Sequence, residues 1–284
     1  MDYVNGSIAN GFIPAINLFV TSRCNMRCRF CFGSCQMQSQ LTPTKRRLVL
    51  ADVIRQCHDA GIEKITFVGG EPLLFDGLDQ VIQLAHSFGL TTCVVSNGAL
   101  ATKQWLDVIS PVLDWVGFSI DSLSIQTNRL IGRVSKGQPL TQAHYMRLVD
   151  WGHQAGIRLK LNTTVCQWNH TEDMAWFYRR SAPERLKFFQ ALTVEGVNDA
   201  QSHSFSVSNE QFTAFVMRHT EQGLNAIAES STDMVGSYLM VSPDGRFFDN
   251  TTCCILFSPV ALAFAIIPGG IASCKIRWAH WRLP

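Results

Sequence analysis

The chain has 284 residues, of which 46% are hydrophobic and only 16% are charged. This composition supports a large buried core and excludes an intrinsically disordered protein. The formal net charge is +2, so the overall charge does not require a nucleic-acid or membrane partner. The length suits one α/β domain, or at most two.

Predicted strands and helices alternate along the chain. The strands are predicted at 15–21, 64–70, 91–98, 115–122, 158–165 and 186–192. The helices between them are predicted at 47–61, 77–89, 102–111, 139–156 and near 171–180. This alternation indicates parallel strands joined by helical crossovers, and six units are too few to close an eight-stranded barrel. We therefore predict an α/β fold, namely a partial, open (βα)6 barrel.

A smaller C-terminal extension is predicted to follow the barrel. A polar loop is predicted at 196–210, and the extension contains a helix near 209–221 and a hairpin within 237–248. The predicted domains are the barrel (1–200), the extension (201–252) and a divergent tail (253–284). The apolar stretch 254–267 of the tail has no strand or helix period. It is also too short, and interrupted by Pro259, for a membrane span.

Ten cysteines occur in the chain. The first residues contain neither a basic region nor a hydrophobic segment, so we expect no secretory signal and a cytoplasmic location. In a reducing cytoplasm, grouped cysteines usually bind metal and single cysteines fill the core. Cys57, Cys93 and Cys166 occur singly and are predicted to be buried thiols.

The motif CNMRCRFC (24–31) follows the first predicted strand and holds three cysteines with the spacing CxxxCxxC. A cubane iron–sulfur cluster is completely ligated by four cysteines, so three leave one iron with an open position. An open position is typical of a catalytic metal site. A zinc-binding module is the alternative, although zinc usually needs a second cysteine pair or histidines at a characteristic spacing. The residues alone leave both interpretations open.

Two further motifs end the next two predicted strands. GGEP (69–72) follows the second strand, and Ser96 and Asn97 end the third. The carboxyl ends of parallel strands meet at one rim, where ligands bind in such folds. Two adjacent glycines allow close approach of a ligand to the backbone, and Glu71 is suited to binding a cationic group. In isolation, GGEP is typical of an ordinary turn.

CxxxCxxC after the first strand, with GGEP after the second, resembles the radical S-adenosylmethionine family. The resemblance implies that Cys24, Cys28 and Cys31 hold a [4Fe–4S] cluster whose fourth iron binds S-adenosylmethionine. Reductive cleavage of that molecule then gives a 5′-deoxyadenosyl radical, which takes a hydrogen atom from the substrate. The implied cofactor-binding residues are Gly69, Gly70, Glu71, Pro72, Ser96, Asn97, Ser119 and Arg133. For Arg133, an exposed surface position is the alternative.

Several longer runs resemble the viperin family, particularly its prokaryotic members, over about residues 14–252. They are NLFVTSRCNMRCRFCF, FSIDS with NRLIGR, LKLNTTVCQWN and RLKFFQALTVEGVN. The likeness implies dehydration of CTP, or of UTP or GTP, to a 3′-deoxy-3′,4′-didehydro nucleotide that terminates viral RNA chains, and hence a role in antiviral defence. It also implies a reductant such as flavodoxin or ferredoxin. From the near-neutral charge and the lack of a membrane-span pattern we expect no nucleic-acid or membrane partner. The alternative is another radical enzyme, acting on a peptide or a small molecule.

A nucleoside triphosphate requires lysine and arginine side chains that face one cavity. Residues two apart in a strand share a face, so Lys160 points with Asn162, and Arg185 points with Lys187. The implied substrate-binding residues are Asn17, Lys64, Lys160, Asn162, Arg185 and Lys187, and the implied catalytic residues are Glu195 and Tyr238. Without the resemblance, Lys64 would be predicted to be exposed, and core packing is an equal alternative for Tyr238.

Overall fold

The computed structural model describes residues 15–31, 33, 39–235 and 237–248, together with the backbone of a strand at 255–259. The strands are β1 (Ala15–Thr21), β2 (Lys64–Gly69), β3 (Thr91–Ser96), β4 (Trp115–Ser119), β5 (Val134–Ser135), β6 (Gln138–Pro139), β7 (Arg158–Val165), β8 (Arg185–Gln190), β9 (Ala226–Glu229), β10 (Met240–Val241), β11 (Arg246–Phe248) and β12 (Ile255–Pro259). The α-helices are α1 (Pro43–Asp59), α2 (Leu78–Ser87), α3 (Lys103–Ile109), α4 (Ile125–Ile131), α5 (Gln142–Gln154), α6 (Ala175–Ser181), α7 (Asn209–Thr220) and α8 (Ser231–Met234).

Ten of these strands form one sheet with the order β12-β11-β10-β1-β2-β3-β4-β7-β8-β9. The six predicted strands are β1, β2, β3, β4, β7 and β8, and they lie side by side and parallel. Within the described residues, β9 and β12 form the two edges of the sheet and do not pair with each other. The prediction of an open α/β barrel is therefore confirmed.

The sheet extends beyond the six predicted strands on both sides. On one side β9 pairs parallel to β8, and on the other β10 pairs parallel to β1. β10 and β11 form the predicted antiparallel hairpin, which places part of the predicted C-terminal extension in the same sheet as the barrel. The predicted domain boundaries stay predictions.

Part of the tail joins the sheet. The stretch 254–267 has no recognisable strand or helix period in sequence, yet Ile255–Pro259 forms β12, which pairs antiparallel to β11 at the sheet edge. Such pairing is made by backbone groups and does not require alternating side chains. The other residues of that stretch lie outside the described residues.

Local capping sets the helix boundaries. α1 begins four residues before the predicted start, because the Thr42 side chain accepts the backbone N–H of Lys45 and Pro43 suits the first turn. The same type of cap begins α4, where Ser124 accepts from Thr127, and Gly132 ends that helix with a φ of 90°. α4 was absent from the predicted elements, although both of its end signals are present in the sequence.

The two faces of the sheet differ in chemistry, as the strand alternation predicts. Leu159 and Leu161 of β7, with Leu186 and Phe188 of β8, are buried in the main core between the sheet and the helices. The intervening residues point to the opposite face, which is called the inner face below. The predicted core thiols Cys57, Cys93 and Cys166 are all fully buried. No helix among the described residues is long and apolar enough to cross a membrane.

Candidate active site

The loop at residues 22–31 carries the three grouped cysteines and follows β1 directly. Cys24, Cys28 and Cys31 are half-buried free thiols. The backbone N–H groups of Arg27 and Arg29 donate to the carbonyl oxygens of Gly132 and Ile131, at 3.3 and 2.9 Å. These bonds fix the loop against the carboxyl end of α4.

The chemistry around the thiols fits an iron–sulfur cluster. The Cys24 Sγ accepts the backbone N–H of Met26 at 3.4 Å and lies 3.9 Å from the Asn97 amide nitrogen, and such donors stabilise cluster sulfurs. Burial raises the pKa of Cys28 to about 12 and also raises that of Cys24, so metal binding must displace their protons.

The three thiols do not converge on one ion position. In the described part of the chain, no three Cys, His, Asp or Glu side chains form a group that could hold a single ion. In a cubane cluster each thiolate binds a different iron, so the three sulfurs need not converge. The placement of the thiols is therefore compatible with a cubane cluster.

The two glycines of GGEP lie where the end of β2 packs against the end of β1. A Cβ atom built on Gly70 would lie 2.3 Å from the carbonyl oxygen of Arg23, and one on Gly69 would lie 2.4 Å from that of Thr21. Glycine is thus required by this backbone contact within the protein. The predicted approach of a cofactor to these glycines stays a prediction.

Glu71 is fully buried and joins the ends of three strands. Its backbone N–H donates to Arg23 O at 2.8 Å, while its carboxylate accepts the Ser96 hydroxyl and the backbone N–H of Asn97, both at 2.8 Å. A third bond, from the Leu73 N–H, begins the short 3₁₀ turn of Pro72–Leu74. Burial raises the pKa of Glu71, and the hydrogen bonds oppose that shift.

Arg133 lies inside the protein, so the alternative of an exposed surface position is wrong. It is 3% exposed and forms an ion pair with Asp121 at 2.7 Å, and it also donates to the carbonyl oxygen of Ser119. Burial opposes the charge of Arg133, but the adjacent Asp121 carboxylate raises its pKa above the usual range. Asp121 also accepts the Thr164 N–H at 2.7 Å, so the pair connects β4 to β7.

Four cationic side chains lie on the inner face. Lys64 and Lys187 are each 1% exposed, Lys160 is 6% exposed and Arg185 is half-buried. The register places Lys160 beside both Gly117 and Arg185. The expectation from the residues alone that Lys64 is exposed is wrong, because the inner face encloses the start of β2, where its Nζ lies 5.2 Å from the centroid of the Trp115 ring.

The pKa values of these lysines reflect their burial and their mutual repulsion. Burial, followed by the neighbouring cations, lowers the pKa of Lys64 to about 7 and that of Lys160 to about 8. The pKa values of Lys187 and Arg185 are also lowered by burial. Because the charged forms are penalised, this region favours the binding of an anion.

Glu229 is a site residue that the sequence interpretation missed. It is 4% exposed on β9 and forms an ion pair with Lys187. Its second carboxylate oxygen accepts the Tyr238 hydroxyl, while the Tyr238 ring packs against apolar residues such as Phe19 and Met240. Tyr238 therefore combines core packing with a polar contact in the site. The short segment AIAE gave no recognisable strand signal, so nothing in the sequence pointed to Glu229.

The other predicted substrate and catalytic residues differ in their placement. Asn162 lies beside Ser119 and Lys187, and its buried Oδ1 accepts no hydrogen bond within the described residues. Asn17 lies on β1, paired in register with Thr66. Glu195 is exposed on the loop after β8, so the structure does not place its side chain among the buried groups.

Comparisons with known proteins agree with this geometry. The Radical SAM superfamily model matches residues 18–175. The S-adenosylmethionine-dependent nucleotide dehydratase of Flammeovirga pacifica is 38% identical over 245 residues, which cover 85% of this chain and 84% of that protein. A protein of the same name from Lacinutrix mariniflava is 39% identical over 254 residues, covering 88% of this chain and 53% of that protein.

Solved structures show the same fold. The structure of native anSMEcpe with bound AdoMet has a TM-score of 0.63 and 15% identity, and covers 84% of this chain and 74% of that one. The parallel sheet and the cysteine loop thus define a radical SAM protein, a class that uses a [4Fe–4S] cluster and S-adenosylmethionine. Within that class, the chain belongs to the family of S-adenosylmethionine-dependent nucleotide dehydratases, the viperin family.

The packing of the cysteine loop on Gly132 generates a first prediction. In Gly132→Ala, the added Cβ would lie 2.2 Å from Arg27 O, so we expect the loop to shift and cluster loading to fall. Iron and sulfide per chain measure the effect after anaerobic reconstitution. The control is Gly137→Ala, whose φ of 78° is similarly positive but whose added Cβ would meet nothing within 4 Å. Equal iron loading in the two variants would contradict the proposed role of this contact.

The buried lysines predict a pH dependence of stability. Their folded-state pKa values of about 7 and 8 lie below the ordinary 10.5, so the unfolded chain binds more protons above about pH 7. The free energy of unfolding should therefore rise between pH 7 and 8.5. Urea denaturation across this range measures the slope, which should be smaller in Lys64→Met. An unchanged slope in that variant would show that Lys64 is not the group responsible.

The Lys187–Glu229 ion pair generates a third prediction. Glu229→Gln leaves the buried Lys187 without its counter-charge and should lower the free energy of unfolding by about 3 kcal/mol. The control Tyr238→Phe removes one hydrogen bond and should cost about 1 kcal/mol. The double variant Lys187→Met/Glu229→Gln should recover at least half of the loss, as measured by chemical denaturation. Similar stabilities of Glu229→Gln and Tyr238→Phe would refute an uncompensated charge as the cause.

Proposed function

We propose that the protein removes water from a ribonucleoside triphosphate, with S-adenosylmethionine as cofactor. The observation that carries this proposal is the set of four cations on the inner face of the sheet. These four cations, of which Lys187 pairs with Glu229, form one region of positive charge along the inner face. A triphosphate group supplies the opposite charge and accepts hydrogen bonds from every one of these side chains. The names of the relatives from Flammeovirga and Lacinutrix support the same reaction.

The positions of the groups along the strands suggest how such a substrate lies. Lys64 begins β2 and Gly69 ends it, five residues later, which corresponds to about 17 Å along the strand. A triphosphate held by Lys64 and its neighbours would direct its sugar towards the rim, where the cysteine loop and GGEP lie. The phosphates and the reacting carbon atoms would thereby occupy opposite ends of one cavity.

Individual residues then receive proposed roles. Lys64, Lys160, Arg185 and Lys187 bind the phosphates, and Asn17 and Asn162 orient the nucleoside, the latter through its unpaired buried Oδ1. Cys24, Cys28 and Cys31 hold the cluster. The four GGEP residues, with Ser96, Asn97, Ser119 and Arg133, form the cofactor side of the site, partly by fixing the strand ends. Glu195 is retained as a proposed contact at the exposed rim.

The proposed reaction begins at the ribose. When bound, the cluster and S-adenosylmethionine supply a carbon-centred radical that can remove the 4′ hydrogen atom. The 3′ hydroxyl then leaves as hydroxide, which takes up one proton to become water, and the remaining substrate radical cation takes up one electron to give the 3′-deoxy-3′,4′-didehydro product. Tyr238 is the proposed source of that proton and electron, and the Glu229 carboxylate fixes its hydroxyl group.

The base and the biological role are finer proposals. CTP is the first candidate because the resemblance to viperin favours it, and UTP and GTP are the alternatives. A product without a 3′ hydroxyl cannot be extended by a polymerase, so it would terminate RNA synthesis. We therefore extend the proposal to antiviral defence and to a protein reductant, flavodoxin or ferredoxin, as the electron source.

The direct test is an anaerobic incubation of the reconstituted protein with S-adenosylmethionine, dithionite and each of the four ribonucleoside triphosphates. Mass spectrometry should detect a nucleotide lighter by one water, together with 5′-deoxyadenosine. Formation of 5′-deoxyadenosine with no dehydrated nucleotide from any of the four would rule out the proposed substrate class while leaving the radical SAM assignment intact.

Lys64→Met tests the proposed phosphate contact. Loss of one charged hydrogen bond should weaken nucleotide binding roughly 10- to 100-fold, as measured by anaerobic titration calorimetry. Cluster content should be unchanged, because Lys64 lies at the far end of β2 from the cysteine loop. The control is Lys103→Met, which removes an exposed lysine on α3 that pairs with Asp107. Equal affinities of the two variants would exclude Lys64 from the phosphate site.

A further inference from the structure

An exposed group of cations surrounds the outer side of the cysteine loop. It is named the basic surface here and consists of Arg23, Arg27, Arg29, Arg129 and Lys136, all of which are exposed. None of the five belongs to the buried cation set of the inner face. The basic surface therefore has no part in the substrate site proposed above.

The fold brings these cations together from three separate segments. Arg27 and Arg29 donate their backbone N–H groups to the end of α4, the helix that carries Arg129. Asn25 donates to the Ser135 hydroxyl at 3.1 Å, which ties the loop to the β5–β6 hairpin that carries Lys136. The Arg27 guanidinium also donates to Cys24 O at 2.8 Å and to Met26 O at 2.9 Å, so its charge lies directly on the cysteine loop.

The acidic groups nearest the cysteines, Glu71 and Asp121, are buried and do not belong to this surface. The sequence contains no Asp or Glu between residues 22 and 51 or between residues 122 and 139. Acidic side chains approach along one edge, where Asn198 donates to Phe30 O at 3.0 Å and its loop carries the exposed Glu195 and Asp199. These two acidic residues mark the limit of the basic surface on that side. The remainder of the surface has a concentrated positive charge in a protein whose overall net charge is only +2.

We propose that the basic surface is the docking site of an acidic electron-transfer protein that carries a flavin or an iron–sulfur centre. This inference rests on the proposed function, because the cluster must receive one electron before the radical can form. In the docked complex one electron passes from the donor's reduced centre to the oxidised cluster, with no bond made or broken. Electron transfer between proteins slows steeply with the separation of the two centres. Cations around the cysteine loop would hold an acidic donor at the shortest approach to the cluster.

Such a surface chiefly changes the rate at which the acidic donor protein associates with the enzyme. Complementary charge raises association rates 10- to 1000-fold at low ionic strength, and salt screens the attraction. Interactions of this kind change the rate of association more than the chemistry of the bound state. The basic surface should therefore matter for a protein reductant and be irrelevant for a small chemical one.

The test uses two double variants with the same change in charge. Arg129→Glu/Lys136→Glu alters the basic surface without touching the cysteine loop. Arg55→Glu/Arg180→Glu is the matched control, because both arginines lie near the carboxyl ends of their helices, α1 and α6, at the opposite end of the strands. Each control arginine forms only an exposed ion pair, whose loss costs at most about 1 kcal/mol.

Two measurements are made on the reconstituted proteins with an acidic flavodoxin. Fluorescence titration of labelled flavodoxin gives its affinity, and electron paramagnetic resonance follows reduction of the cluster by reduced flavodoxin or by dithionite. In the basic-surface variant we expect roughly a 10-fold or greater loss of flavodoxin affinity and of flavodoxin-driven reduction at low salt. Dithionite reduction should be unchanged, and the control variant should behave like the unaltered protein.

Three results would overturn the proposal. One is equal flavodoxin binding by both variants, and another is an equal loss of dithionite and flavodoxin reduction, which would indicate damage to the cluster loop. The third is tight binding of a 20-base-pair DNA that depends on the basic surface while flavodoxin reduction does not. None of these measurements contains a nucleotide substrate, so failure of the proposed dehydratase activity would be seen separately.

Discussion

The buried carboxylate of Glu71 holds together the strand ends that form the rim of the sheet. It accepts hydrogen bonds from the end of β3, while its own backbone N–H binds the segment that leaves β1 for the cysteine loop. Together with the bonds from the loop to α4, these contacts fix the thiols relative to the strand ends. The glycines before it serve the same contact, since any side chain on Gly70 would overlap Arg23. GGEP is thus first a packing motif, and its position beside the cluster follows from that packing.

A second constraint comes from the two faces of the sheet. The helix-facing side chains form an ordinary apolar core, and this core allows the inner face to carry groups that disfavour folding. The buried lysines have pKa values that burial lowers, so their charged forms weaken the protein in the absence of an anion. The proposed affinity for a polyanion would thereby come at some expense of stability. Glu229 limits this cost, most directly for Lys187, with which it forms an ion pair.

The sequence predicted the parallel strands and the grouping of Lys160 with Asn162 and of Arg185 with Lys187, because strand alternation is a local property. It did not predict the burial of Lys64, because a charged residue at the start of a strand is usually exposed. Lys64 is buried only because the folded sheet encloses the start of β2 on its inner face. The ion pair of Arg133 depends on Asp121, which lies two residues after the end of β4 and twelve residues from Arg133 in sequence. The sequence could not predict Glu229 as a site residue. Its strand β9 has only four residues, and the segment that connects it to its partner β8 contains α7.

The burial of several positive charges on the inner face affects how long the protein lasts before it is degraded. A ligand that binds only the folded chain stabilises it by an amount that grows with ligand concentration. Neutralisation of Lys64 and Lys160 by an incoming polyanion would reduce the fraction of molecules that open transiently. Those opened molecules are the ones that proteases cut. With a triphosphate bound there as proposed, the lifetime of the protein should therefore lengthen when that nucleotide is abundant, and this would adjust the amount of protein to the nucleotide supply without any change in gene expression.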